Sequence, residues 1–196
     1  MTRFVKFLSI VLSLSLINSC DEDSEDGLEN VNLNSFTMVL GGEAWVPSFV
    51  DDCEQLFTCS MSELNSERFY EIKAYRDPDL KASFESENYL DIQIMNVSEV
   101  GTYPINESYG DFTSYARFRF NEEGQTTVYE NKLDENSFYV DITEFLPREY
   151  SALIGIKGSF RGSLYNMDEP NDSIEIQSGE FVFQRINRFN FNQCAE

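Results

Sequence analysis

The sequence predicts an all-β domain, an antiparallel β-sandwich of jelly-roll-like form, and three observations carry that prediction. Short apolar and polar alternations recur along the chain: Leu90, Ile92 and Ile94 against Tyr89, Asp91 and Gln93, then Phe138, Val140 and Ile142 against Tyr139 and Asp141. Successive side chains of a strand point to opposite faces, so each run has one buried and one wet face, as antiparallel sheets do. No long segment repeats its apolar residues at the helical period, which leaves nothing to cross between parallel strands. Seventeen Phe and ten Tyr supply side chains suited to a pleated, half-buried surface. A closed barrel is the second architecture that fits.

In chain order, residues 36–40 and 44–50 read as strands joined at Gly41-Gly42, a dipeptide that accepts the positive φ angles of a tight hairpin. Pro47 has no N–H for a ladder, which puts the second strand at an edge or a bulge. Residues 53–66 read as a loop. Strands follow at 69–76, 89–96, 114–120, 126–130 and 138–143, and Pro147 restricts the region around 146–148 to a short helical turn at most. Residues 150–165 keep one phase through Ile154, Ile156, Phe160 and Leu164, with Gly155, Gly158 and Gly162 marking a strand that turns a corner between sheets. Beyond it, Ile174 and Ile176 are in even phase and Phe181 and Phe183 in odd phase. One residue is therefore gained between them, and a β-bulge is predicted at Gly179.

The N-terminus has a different character. Arg3 and Lys6 flank the start of an apolar run from Phe7 to Ile17, then come Ser19, Cys20 and the acids Asp21-Glu22-Asp23-Ser24-Glu25-Asp26. The run is far short of the roughly 20 residues that cross a bilayer. The pattern resembles a bacterial lipoprotein signal, and the acids after the cysteine resemble the export signal of surface-exposed lipoproteins of Bacteroidetes-type bacteria. That resemblance implies a signal peptide over 1–19 and acylation of Cys20, palmitate included, as the mature N-terminus. The protein would be anchored to the outer membrane by lipid at the cell surface, with the periplasmic face as the alternative. Residues 20–35 then form a flexible tether whose like charges repel, and 36–196 form the single β-sandwich domain. The opening Phe36, Gly41-Gly42 and Trp45 also resembles several Bacteroidetes-type lipoprotein families with β-sandwich domains.

Thirty-five acids against fourteen bases give a net charge of −21, which repels nucleic acid and anionic lipid head groups alike. The chain has no histidine, and so lacks the commonest general base and the commonest transition-metal ligand. No catalytic motif stands out, and the reading is of a protein that is not an enzyme. Beyond Cys20 lie Cys53, Cys59 and Cys194. In an oxidising compartment a small loop closed by Cys53 and Cys59 is the simplest pairing, and a bridge from Cys194 to either is the alternative. Three thiolates without histidine make a poor zinc set, so no metal site is assigned. Asp77-Pro78-Asp79, Asp134-Glu135, and Asp168-Glu169 with Asp172 offer oxygens to a structural calcium, although none has a complete ligand spacing and all read first as solvated turns.

Three groups of residues are candidates for function. Trp45, Tyr103, Tyr109, Phe112 and Tyr115 could offer rings for stacking on sugars; the loop aromatics Tyr109 and Phe112, with Tyr115, are the better placed, since Trp45 fits a core position. Asp91 and Asp141 occupy matching places on two strands, each two residues after a tyrosine, and a carboxylate pair is what glycoside hydrolysis uses. Acids on the polar face of a strand are ordinarily just solvated. Asp172-Ser173-Ile174 resembles the Bacteroidetes O-glycosylation acceptor motif, with Ser173 as the acceptor. The expectation is a lipid-anchored, non-catalytic binding or assembly module with carbohydrate as ligand. A structural partner of an outer-membrane protein complex and a two-carboxylate hydrolase are the alternatives.

Overall fold

The structure, a computed structural model, describes residues 34–48, 56–64, 67–76, 88–109, 112–122, 124–147, 151–184 and 186. These form β1 (Asn34–Leu40), β2 (Glu43–Trp45), β3 (Phe57–Leu64), β4 (Glu67–Arg76), β5 (Asn88–Ile94), β6 (Gly101–Pro104) and β7 (Ser108–Tyr109). After them come β8 (Phe112–Thr113), β9 (Tyr115–Glu122), β10 (Gln125–Glu130), β11 (Phe138–Leu146), β12 (Gly155–Asn166) and β13 (Ser173–Phe183). Eleven strands make one antiparallel sheet in the order β2-β1-β13-β12-β10-β9-β5-β4-β3, with β11 paired to β12 and β6 paired to β11. The remaining two, β7 and β8, form a separate small hairpin.

The corner of this sheet lies in β12. Its first residues pair with β11 on one side and β13 on the other, whereas Tyr165 and Asn166 pair with β10. Gly162 sits between these regimes at a φ of 150°, a backbone conformation that a side chain would strain. Opposite it, β13 carries one extra residue at Gln177-Ser178, whose side chains both face solvent. The gain in phase expected beside Gly179 therefore falls just before it. Gly179 itself makes room for a neighbour, since a Cβ there would run into the Phe160 ring.

Beyond the corner the sheet curls until strands of its two halves pack against each other. The Phe36 ring of β1 lies 6.1 Å from Phe57 of β3, and Phe57 lies 5.8 Å from Phe183 of β13. Ser48 N–H donates to the Tyr75 carbonyl at 3.0 Å, and the Tyr70 hydroxyl donates to the Ile154 carbonyl at 3.0 Å. Burial lifts the Tyr70 hydroxyl to about 12. The outcome is a strongly curled half-barrel around one apolar core, with Phe138, Phe160 and Phe181 stacked at 6.2 and 6.3 Å along it. Each fully buried phenylalanine contributes roughly 2–3 kcal/mol by area removed from water. The antiparallel all-β prediction holds, its two layers supplied by one sheet folded over itself.

Four local expectations change. Residues 57–64 are strand β3 and not loop: Phe57, Cys59 and Met61 face the core while Thr58, Ser60 and Ser62 alternate with them. Small serines and a thiol hid a period-two pattern that ring-bearing residues would have advertised. β2 stops at Trp45, two residues before Pro47. β11 runs on to Leu146, and β12 begins only at Gly155. The Gly41-Gly42 turn behaves as expected, with φ angles of 59° and 88°.

Candidate functional site

The open end of the half-barrel holds a recess of about 340 Å³. The Gly41-Gly42 turn brings β2 over it, so Trp45 lies against Phe118 of β9 edge to face, with ring centroids 5.9 Å apart. These two belong to the core and close the recess from below as its apolar floor, and Phe120, 39% exposed, is the ring that faces its opening. Three polar side chains stand around the opening: Glu43 of β2, Arg76 at the end of β4, and Asn88 at the start of β5, in register with Arg76. Asn88 Oδ1 accepts the Asn121 N–H at 2.5 Å, which leaves its amide N–H groups without a partner among the described residues. Glu43 and Arg76 likewise make no ion pair there. An apolar floor with uncommitted donors and acceptors on its rim is what a small polar ligand with a flat face requires.

The outer face of β4, β5, β9 and β10 is organised differently. Lys73, Asp91, Arg117 and Glu130 stand in register across the four strands, a row of alternating charge. Lys73 Nζ lies 2.7 Å from Glu71 and 3.9 Å from Asp91, and Arg117 grips Glu130 at 2.7 and 2.9 Å. Burial lowers the proton affinity of Lys73, but its bond to Glu71 and the charge of Asp91 outweigh this, and the net shift is upward. Asp91 is only 7% exposed. Its Oδ2 accepts the Tyr115 hydroxyl at 3.2 Å, while its buried Oδ1 has no partner. Burial, only partly offset by the Lys73 charge, raises the Asp91 carboxyl to about 6. Tyr115 is pushed up by its own burial and by the Asp91 charge.

The candidates from the sequence fall in separate places. Asp91 and Asp141 sit on strands that do not pair, and they share no partner: Asp141 accepts from Thr102 at 2.5 Å and from Arg161 at 2.9 Å. Tyr115 is a half-buried strand residue tied to Asp91. Phe112 is 55% exposed on β8, directly across from Tyr109 of β7, with its ring 6.5 Å from Phe69. The Tyr103 hydroxyl closes a local loop through Glu99. Ser173 opens β13, exposed, next to an Asp172 that is held low by hydrogen bonds from Asn166 and Tyr129. Cys59 lies on β3 facing the core, 1% exposed, and burial followed by the Glu71 charge drives its thiol far up. Cys20, Cys53 and Cys194 lie outside the described residues, as do Asp77 and Asp79. Among the described residues no three acids converge as a metal site would require.

The family model for a domain of unknown function, DUF5025, matches residues 33–184. The chain belongs to the DUF5025 family. The DUF5025 match begins one residue before β1 and ends one after β13, so the family unit coincides with the curled sheet and includes both the recess and the charged face. The segment from Cys20 through the acidic run lies outside it. No curated protein and no solved structure matches the chain.

Sequence reasoning missed the rim of the recess. Glu43, Arg76 and Asn88 come from three different strands, and only the closure of the sheet brings them together. Arg117 and Arg119 carried a readable signal: two arginines on the outward phase of Tyr115-Ala116-Arg117-Phe118-Arg119-Phe120 in a strongly acidic chain.

Proposed function

We propose that this DUF5025 protein is a lipid-anchored, non-catalytic binding module whose ligand is a carbohydrate seated in the recess at the open end of the half-barrel. The observation that carries the reading is the pairing of an exposed ring, Phe120, with a rim of Glu43, Arg76 and Asn88 whose charges and amide N–H groups have no partner among the described residues. A sugar ring has an apolar face for the aromatic side and hydroxyls that donate to a carboxylate and accept from an amide and a guanidinium. Chemistry by two carboxylates is not supported, because Asp91 and Asp141 are committed to separate partners.

The full-length protein, purified in detergent, should bind members of a broad array of neutral glycans, and Arg76→Gln with Asn88→Ala should abolish that binding without changing the thermal midpoint. Absence of any hit, or a hit indifferent to both substitutions, overturns the reading. Anchoring rests on the sequence from Arg3 to Asp26. Cys20→Ala should move the protein from the membrane fraction to the soluble one, and continued sedimentation with membranes would refute lipidation at that position.

A further inference from the structure

A second recess, of about 260 Å³, opens on the opposite side of β9 from the first. It is lined by Tyr89, Arg117, Arg119, Val128 and Met167. The row above the charged one reads Tyr75, Tyr89, Arg119 and Val128 in register across β4, β5, β9 and β10. Tyr75 and Tyr89 pack ring to ring at 5.5 Å, and the Arg119 guanidinium lies over Tyr89, 5.8 Å from its centroid. Met167, 60% exposed, stands beside them, fixed by its N–H to the Val128 carbonyl at 2.9 Å.

The two arginines differ in one respect. Arg117 is neutralised by Glu130 and rests on Tyr115, 5.0 Å from the ring centroid. Arg119 has no acidic partner among the described residues. In a chain with 35 acids and 14 bases, a guanidinium with no acidic partner among the described residues, placed over a ring and bordered by an exposed apolar side chain, is complementary to an anion with an apolar face. Guanidinium groups prefer planar carboxylates, which they grip with two parallel hydrogen bonds. The recess has room for one ring-sized group.

We infer that this outer face is a second binding site, for a saccharide ring that bears a carboxylate, as a uronic acid does. The carboxylate pairs with Arg119 and the ring packs on Val128 and Met167. An acidic peptide offers the same charge without the ring, so the two are separated by experiment. The site stands on the other side of β9 from the proposed neutral-sugar recess, and neither depends on the other.

Titration calorimetry on the full-length protein in detergent tests this, with tri-galacturonate as probe, galactotriose as the neutral control and tri-glutamate as the charge control. At 0.15 M salt the Debye length is about 8 Å, so the remaining acids are screened while a direct contact is not. Tri-galacturonate should bind, and galactotriose should show no heat change that Arg119→Gln alters. Arg119→Gln should weaken the uronate by about tenfold or more, the loss of one charge-assisted pair. Met167→Glu should weaken it as well, by repulsion, while Arg76→Gln at the first recess leaves it unchanged. No uronate binding, binding indifferent to Arg119→Gln, or equal affinity for tri-glutamate each overturns the inference.

Discussion

Two tetrapeptides of this chain are nearly the same and end in different physical states. Tyr89-Leu90-Asp91-Ile92 lies in β5 and Tyr139-Val140-Asp141-Ile142 in β11, both with the acid on the outer face. Asp91 is sealed between Lys73 and Arg117 on two long flanking strands and roofed by Tyr115, with one carboxylate oxygen unsatisfied. Asp141 faces the four-residue β6 on one side and Ser159 on the other, keeps 21% of its side chain in solvent and has both oxygens bonded. The local sequence sets the face on which an acid lies. The lengths and side chains of the neighbouring strands set its electrostatics.

The largest consequence is a dependence of stability on pH that comes from Asp91. Asp91 titrates at about 6 in the folded protein against the ordinary 3.8. Between those values the folded state holds a proton that the unfolded state has released, so Asp91 makes stability fall as pH rises through the window from about 4 to about 6. Below it the contribution is constant, and above it the loss is complete. The difference amounts to the order of 3 kcal/mol. Urea unfolding of wild type and Asp91→Asn at pH 4 and pH 7 should show the wild type gaining on the variant by that order as the pH falls. Parallel pH dependences for wild type and Asp91→Asn would mean that Asp91 is solvated and not sealed between its neighbours.

A smaller effect comes from the roof over Asp91. Tyr115→Phe removes the 3.2 Å hydrogen bond to Asp91 and the 3.5 Å one to Glu71 but keeps the ring. The bond favours the ionised carboxylate, so its loss should push the Asp91 titration above 6 and cost about 1 kcal/mol at pH 7. Carboxyl carbon shifts followed by NMR report the first effect and urea unfolding the second. A downward move of the Asp91 midpoint would contradict the hydrogen bond's assigned role.

Much of the fold was legible because ring-bearing and branched residues alternate cleanly, as in 89–94 and 138–142, and because Gly41-Gly42 marks its own turn. β3 was missed because its core side chains, Phe57, Cys59 and Met61, alternate with serine and threonine in a stretch that reads as loop. The glycines of β12 pointed to a corner, but not to a single sheet curling over itself, which follows from the handover of β12 from β11 to β10. Phase could place Asp91 on an outer face and could not bury it. The recess was invisible for the same reason: Glu43, Arg76 and Asn88 are isolated polar residues until closure of the sheet assembles them.

The smallest effect sharpens the comparison from the side of Asp141. Its partner Arg161 is 59% exposed, so the ion pair sits in high dielectric and orders a long side chain for little return. A double-mutant cycle with Asp141→Asn and Arg161→Gln should give a coupling of about 0.5 kcal/mol that fades toward zero in 1 M salt. The row through Asp91 should keep most of its coupling under the same salt, because its buried carboxylate is shielded by protein and not by ions. A coupling above about 2 kcal/mol between Asp141 and Arg161, or one that salt leaves untouched, would place both acids in the same regime, and burial by neighbouring strands would then not be what separates them.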